Sequence, residues 1–413
     1  MKLATPEPRS TQYAVPEVSL RNGDGIIHHG EIYLDHAATS PLRRDVWEAM
    51  EGALEHSFNP ASSHAFGRRA HRCLELARTE IAELLGCDRA GVYFTGGGTQ
   101  SDNLAILGFA RSRRDQKPRI FVSAIEHPAC LESAEHVADE RVRVAKIPVD
   151  GCAAVDIEWL ERSLAEDPSA PTLVSVMWAN NEVGAVQPMA EIVELAHSYG
   201  AVVHTDAVQA LGKVPVRIDE TPVDMLSATA HKLGGPVGVG ILYCRKGLQL
   251  EPLSFGGGQE RSLWPGTQNP IGAVGFVTAL RFALDGQEAE AIRWTELRNH
   301  FERRLLSEIP GARIHAGEAE RRLPQLVSLG IDGCDAGALL VSLDLEGIAI
   351  SGGSACSSGS GKGSSVLTAM GVESEGPYAT LRFSFGHDTT REQLDAVVDT
   401  LVRVAARVLA LSA

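Results

Sequence analysis

The chain lacks every mark of a disulfide framework. Its seven cysteines, at 73, 87, 130, 152, 244, 334 and 356, are odd in number and include no CxxC pair, so a reducing compartment with at least one free thiol is expected. No apolar run is long enough to cross a membrane. The first thirty residues have neither the apolar core of a signal peptide nor the Arg-rich pattern of a transit segment. A cytoplasmic protein without membrane contact is expected, with residues 1–30 as a disordered or loosely attached extension. Positive charge is also in deficit: 53 acidic residues face 38 basic ones, for a net charge of −15. That balance favours solubility and argues against direct binding to nucleic acid. Internal repeats are absent.

What is present is an ordinary globular composition, 44% hydrophobic and 22% charged, over 413 residues. Such a length exceeds what one core usually organises. From residue 90 onward β-branched runs (Val92–Phe94, Ile120–Val122, Leu173–Val176, Val202–His204, Val239–Leu242) alternate with amphipathic segments. This is the pattern of an α/β unit with a mainly parallel sheet flanked by helices. The spacing predicts a helix from His64 to Leu85, with Ala70, Leu74, Ala77, Ile81 and Leu84 inward and Gly86 as its stop. From about 288 the pattern shifts to a smaller α+β domain, closed by a helix that Thr390 and Gln393 open at capping-box spacing. Residues 42–288 are assigned to the large domain, and 31–41 with 289–413 to the small one.

Four segments carry chemistry. Thr95-Gly96-Gly97-Gly98-Thr99 links a strand to a helix and reads either as a phosphate cup, with Gly98 and Thr99 at the helix start, or as a plain tight turn. Asp206, with Gln209 three residues on, ends a strand at the edge where open sheets bind ligands. It suits a cationic ring nitrogen or simply caps a helix. Lys232 follows Thr229 and His231 and precedes Gly234-Gly235-Pro236. Among small and apolar neighbours its amine would have a lowered pKa, as a Schiff-base lysine requires, unless it snorkels to water. Cys356 lies in Ser351–Gly363, where ten of thirteen residues are Ser or Gly. An exposed thiol there suits nucleophilic work, the alternative being an incidental loop cysteine. The other six cysteines are read as packing residues in helices or strands. A phosphate cup, a carboxylate and a Schiff-base lysine in this order on one sheet match the needs of pyridoxal phosphate (PLP).

From Tyr33 onward the chain resembles the cysteine desulfurases, PLP-dependent transferases of fold type I in the class V aminotransferase group. The resemblance rests on Tyr33–Thr39, Asn59–His64, Glu126-His127-Pro128, Asn180–Gly184, His204–Gln209, His231-Lys232, Gly256–Arg261, Pro265-Gly266-Thr267, Ser354–Ser358 and Arg382–Ser384. The Ser-Ala-Cys-Ser-Ser stretch resembles the branch with a long mobile cysteine loop. The resemblance implies that Lys232 links the cofactor, Asp206 pairs with its ring nitrogen and Gln209 meets its phenolic oxygen. His127 would stack on the ring and help move protons, while Gly98, Thr99, Thr229 and His231 would hold the phosphate, joined by Thr267 of a partner subunit. Asn181 and Arg382 would hold the carboxylate of L-cysteine. Cys356 would take its sulfur as a persulfide, leaving L-alanine, for an acceptor protein in iron–sulfur cluster assembly or a thiolation pathway. A homodimer is implied, and no metal site is expected. On residues alone, His127 reads as a core histidine and Arg382 as a surface strand arginine.

Three positions depart from the family pattern: His36 stands where asparagine is usual, Val237 where lysine is frequent and Trp264 where arginine is frequent. They bear on partner docking more than on chemistry. The rivals are another class V enzyme, such as an aminotransferase or a selenocysteine lyase, and a non-catalytic sulfur carrier on the same fold. Cys356 discriminates against an aminotransferase, and Lys232, Asp206 and Arg382 against a carrier.

Overall fold

The computed structural model describes residues 31–353, 364–372 and 377–412; the extension over 1–30 and Cys356 lie outside them. Strand β1 (Ile32–Tyr33) opens the fold. The apolar runs that follow form β2 (Val92–Thr95), β3 (Arg119–Ser123), β4 (Arg143–Ile147), β5 (Thr172–Ser175), β6 (Val202–Asp206), β7 (Met225–Thr229) and β8 (Gly240–Cys244). They make one sheet in the order β2-β8-β7-β6-β5-β3-β4. β8 runs antiparallel to both neighbours, while the other pairings are parallel. The strands β3, β5, β7 and β8 are buried at every position, as a sheet covered by helices on both faces requires.

The second half builds β9 (Ala312–Ile314), β10 (Leu326–Asp332), β11 (Ile348–Ala349) and β12 (Tyr378–Ser384). β10 lies antiparallel between β9 and β12, and β1 runs parallel to β11. These strands and the helices Gln287–Glu308, Ala336–Leu345 and Arg391–Ser412 enclose a second hydrophobic core that includes Leu34. Thr390 and Gln393 exchange backbone–side-chain hydrogen bonds at 3.0 and 3.3 Å at the start of the last helix, which buries Leu394, Val397, Leu401, Val404 and Val408. The segment after β1 ties the two cores together: Ser384 Oγ accepts from the Ala37 amide at 2.8 Å, and the Ser40 amide donates to the His231 carbonyl at 2.9 Å.

The helix Ala65–Leu85 is capped by His64, whose Nδ1 accepts from the Gly67 amide at 3.2 Å. It buries Leu85 more fully than Leu84, and it also buries Arg78 at 2% exposure. Cys87, Cys152 and Cys334 lie outside regular helices and strands. Their assignment to helices or strands is corrected accordingly. Among the described residues no helix is long and apolar enough to cross a membrane.

Candidate active site

Because β2, β3, β5, β6 and β7 share a direction, the residues that follow them gather at one carboxyl edge, where open α/β sheets bind ligands. After β2 the chain turns at Gly97, with φ +149°, into the helix Gly98–Ser112. A Cβ on Gly98 would lie 2.9 Å from Val208, and one on Gly240 would lie 2.7 Å from the Gly97 Cα. The turn is therefore pressed against β8 by residues without side chains. Ser101 Oγ donates to the Ile241 carbonyl at 2.9 Å and lies 2.8 Å from Thr95 Oγ1. No side chain caps the helix start, which leaves its amides directed outward beside the exposed Thr99.

Asp206 ends β6, fully inside, with Oδ1 accepting from the Val208 amide at 2.8 Å. That bond gives it a turn-capping role while its carboxylate still faces the edge. Burial lifts its pKa above the usual carboxylate range, opposed by the Val208 amide and by the charges of His127 and Lys232. Gln209 spends its amide on the Ala37 carbonyl at 2.8 Å and leaves a buried Oε1 without a partner. The bare atom is an acceptor, so contact with a phenolate oxygen would use the second amide hydrogen. His127 follows β3 and caps the helix Pro128–Val137, its Nδ1 accepting from the Ala129 amide at 3.1 Å. The neutral ring consequently carries its proton on Nε2, and burial holds its pKa below the ordinary histidine value.

Lys232 sits in the turn Ala230–Leu233 after β7, half-buried, and Nζ donates to the carbonyls of Ala37 and Ala38 at 2.6 Å each. Thr229 Oγ1 donates to the Val239 carbonyl at 3.2 Å, and His231 Nδ1 lies 3.1 Å from Thr39 Oγ1. Arg382 on β12 is 2% exposed, so it is no surface arginine. Its Nη1 donates to the Asn181 carbonyl at 2.8 Å and its Nη2 to Asp35 Oδ1 at 2.9 Å, while Nε has no partner. Thr267 is exposed, on a segment whose residues Glu260, Arg261 and Ser262 all have positive φ.

Several buried groups beside this edge were given no role by sequence, although Glu126 stands in the Glu126-His127-Pro128 motif. Asp102, Cys130 and Asp206 bring their ligand-type atoms within 4.8 Å of one another. Burial and mutual repulsion hold the Asp102 carboxyl well above its usual range, and burial lifts Glu126 to about 8. Asp102 Oδ1 and Glu126 Oε2 have no hydrogen-bond partner. A second lysine, Lys213, is buried next to the Lys232 turn. Only the Gly-Lys pair shortly after Gln209 hints at it in sequence.

The residues fit PLP. An open helix start suits a phosphate, a dry carboxylate suits a protonated ring nitrogen, and a lysine stands at the same edge. Comparison with known proteins agrees. Residues 32–397 match the aminotransferase class-V family. A cysteine desulfurase IscS of Dictyoglomus turgidum is 40% identical over 383 residues, 92% of this chain and 96% of the relative. A solved NifS-like protein superposes with a TM-score of 0.84 at 33% identity, covering 91% of this chain and 100% of that one. A structure described as SspA in complex with cysteine matches with a TM-score of 0.73 at 29% identity, over 86% of this chain and 98% of that one.

Proposed function

The chain belongs to the aminotransferase class-V family and is a PLP-dependent cysteine desulfurase, and from that premise we propose how its own residues divide the work. The observation that carries the proposal is the meeting of the open helix start at Gly98, the buried Asp206 and Lys232 at one sheet edge. Gly98 and Thr99 bind the phosphate, helped by Thr229 and His231. Asp206 keeps the ring nitrogen protonated, and Gln209 and His127 fix the ring's edge and face. Bound there, PLP supplies an electron-withdrawing ring that stabilises negative charge on the substrate carbon.

Lys232 Nζ takes the Cα proton and returns protons to carbon. Arg382, already oriented by Asp35 and the Asn181 carbonyl, holds the carboxylate of L-cysteine together with Asn181. The thiolate of Cys356 attacks the substrate sulfur; His127, whose Nε2 already holds its proton, serves as the base once Nδ1 gives up the Ala129 amide. An S–S bond forms, the C–S bond breaks, and its electron pair stays on carbon to be protonated, leaving L-alanine and a persulfide on Cys356.

The persulfide then passes to an acceptor protein, in iron–sulfur cluster assembly or a thiolation pathway, in the cytoplasm. We assign the working unit as a homodimer in which Thr267 reaches the partner's phosphate site. Phe255 and Val237 are 82% and 76% exposed, as apolar side chains that a partner subunit covers would be in one chain taken alone. We assign residues 42–288 to the cofactor domain and 31–41 with 289–413 to the small domain; the core around Leu34, Phe301 and Phe383, drawn wholly from the second set, supports the division, while Leu326, Val366 and Leu367 pack across it. The test is Cys356→Ala: it keeps the cofactor's absorbance and yields no persulfide by mass spectrometry after turnover of L-cysteine. Undiminished sulfide release without added thiol would overturn the assignment of Cys356.

A further inference from the structure

Lys213 belongs to no role assigned so far. Gly212, at φ +74°, has no room for a side chain, since a Cβ there would lie 2.7 Å from Ala283 and 2.9 Å from Leu233. This tight passage tucks Lys213 beneath the Lys232 turn, 7% exposed, with Nζ donating to the Lys232 carbonyl at 3.2 Å. Among the described residues no carboxylate pairs with it. The titratable groups whose fields overlap Lys213 are Lys232 and His231 on the turn after β7 and His36 after β1, with Asp388 acting on His36. Burial and the neighbouring lysine charges hold both histidines near 4, so they are neutral at physiological pH. Lys213 and Lys232 are thus the candidate cations here among the described residues, and Lys232 also lies in the fields of Asp206, which favours its charge, and of His127.

We propose that Lys213 is a positioning residue for Lys232: its buried ammonium, bonded to the Lys232 main chain, keeps the Lys232 side-chain nitrogen unprotonated when that nitrogen must react. Two ammonium groups in one dry pocket repel, and a neighbouring cation is a known means of freeing a lysine amine. A charge on either lysine therefore disfavours a charge on the other. Burial and the Lys232 charge push Lys213 itself down to about 7. When Lys232 is linked to the cofactor its nitrogen can still take a proton, and the charge on Lys213 disfavours that proton. Bound PLP would offer an aldehyde carbon for Lys232 to link to, and Lys232 Nζ has to be free of its extra proton both for that link and to accept the Cα proton of the substrate.

The inference rests on Lys232 being the linking residue. Borohydride reduction of the holoenzyme followed by peptide mass mapping tests that premise separately. The proposal itself is tested by following the cofactor's absorbance against pH in the holoenzyme, which reports the proton on the nitrogen joining Lys232 to the cofactor. Lys213→Gln retains a hydrogen-bond donor without the charge, Lys213→Met removes both and Lys213→Arg keeps the charge. We expect Gln and Met to raise the absorbance midpoint by about one pH unit, a tenfold change in proton affinity, and Arg to leave it near wild type. A Gln variant that titrates like wild type would reduce Lys213 to a structural hydrogen bond. If Gln and Met fail to fold, an Arg variant whose midpoint departs from wild type by a full unit would equally overturn the charge assignment, and an unchanged Arg midpoint would uphold it.

Discussion

Arg382 Nη2 lies 2.9 Å from Asp35 Oδ1, joining residues 347 positions apart at the junction of the two cores. A guanidinium this deeply buried needs a counter-charge, and Asp35 supplies it while fixing the plane of the fork. Asp35→Ala is expected to raise KM for L-cysteine about tenfold with a smaller effect on kcat, the worth of one charge-assisted bond. Asp35→Asn keeps an oriented acceptor and falls between. Steady-state kinetics decides: an unchanged KM in both variants would mean that Arg382 is not the carboxylate anchor.

In the proposed mechanism Asp206 acts at a distance from the sulfur, through the ring nitrogen. Replacing it by asparagine removes a buried negative charge at nearly constant shape, so the protein should fold and still take up cofactor, but less tightly. Turnover should fall by about 10²–10³-fold, as for loss of one preorganised electrostatic partner. Spectroscopic titration with PLP and the rate of alanine formation measure the two effects. Full turnover in the asparagine variant would remove Asp206 from the chemistry.

Glu126 gives the site's surroundings a pH dependence. Burial lifts its pKa to about 8 from an ordinary 4.5, against one short bond from the Met177 amide. Between these values the folded protein keeps a proton that the unfolded chain has lost. Stability therefore falls as pH rises through this window, by up to about 1.4 kcal/mol per unit. Glu126→Gln cannot ionise and keeps an acceptor for Met177. Urea unfolding of cofactor-free protein should show the variant gaining on wild type from about pH 5 to about pH 8, and a constant difference would show that Glu126 does not titrate there.

The motif residues were readable because each stands where local chemistry is visible in one dimension: Asp206 at a strand end, Lys232 before two glycines, Gly98 at a helix start. The α/β alternation and the capping box at Thr390 were legible for the same reason. Asp102 and Lys213 were not, and Asp35 and Glu126 stood in family motifs without a role, because what these side chains meet lies far away in sequence. Lys213 looks like any solvated lysine until Gly212 is seen pressed against Ala283. The burial of Arg382 likewise depends on the strand pairing of β12 and on a segment from the other end of the chain.

Arg78 and Glu260 form the deepest ion pair near the proposed dimer face. Arg78 donates to both oxygens of Glu260 at 2.7 and 2.8 Å, with side chains 3% and 2% exposed. Glu260 also accepts from the Phe94 amide at 2.9 Å and from Gln268. These bonds hold Glu260, Arg261 and Ser262 at φ of +45°, +54° and +63°, a conformation non-glycine residues adopt at a cost. The ion pair therefore offsets the strain that sets the course of the segment leading to Thr267. Removing one partner strands the other charge, so Arg78→Met should cost about 3–5 kcal/mol by urea unfolding. Relaxation of the strained turn should also move Thr267, weakening the dimer by sedimentation and loosening cofactor retention. A destabilised Arg78→Met that still dimerises and holds cofactor like wild type would separate the ion pair from the Thr267 segment and leave it a purely structural tie.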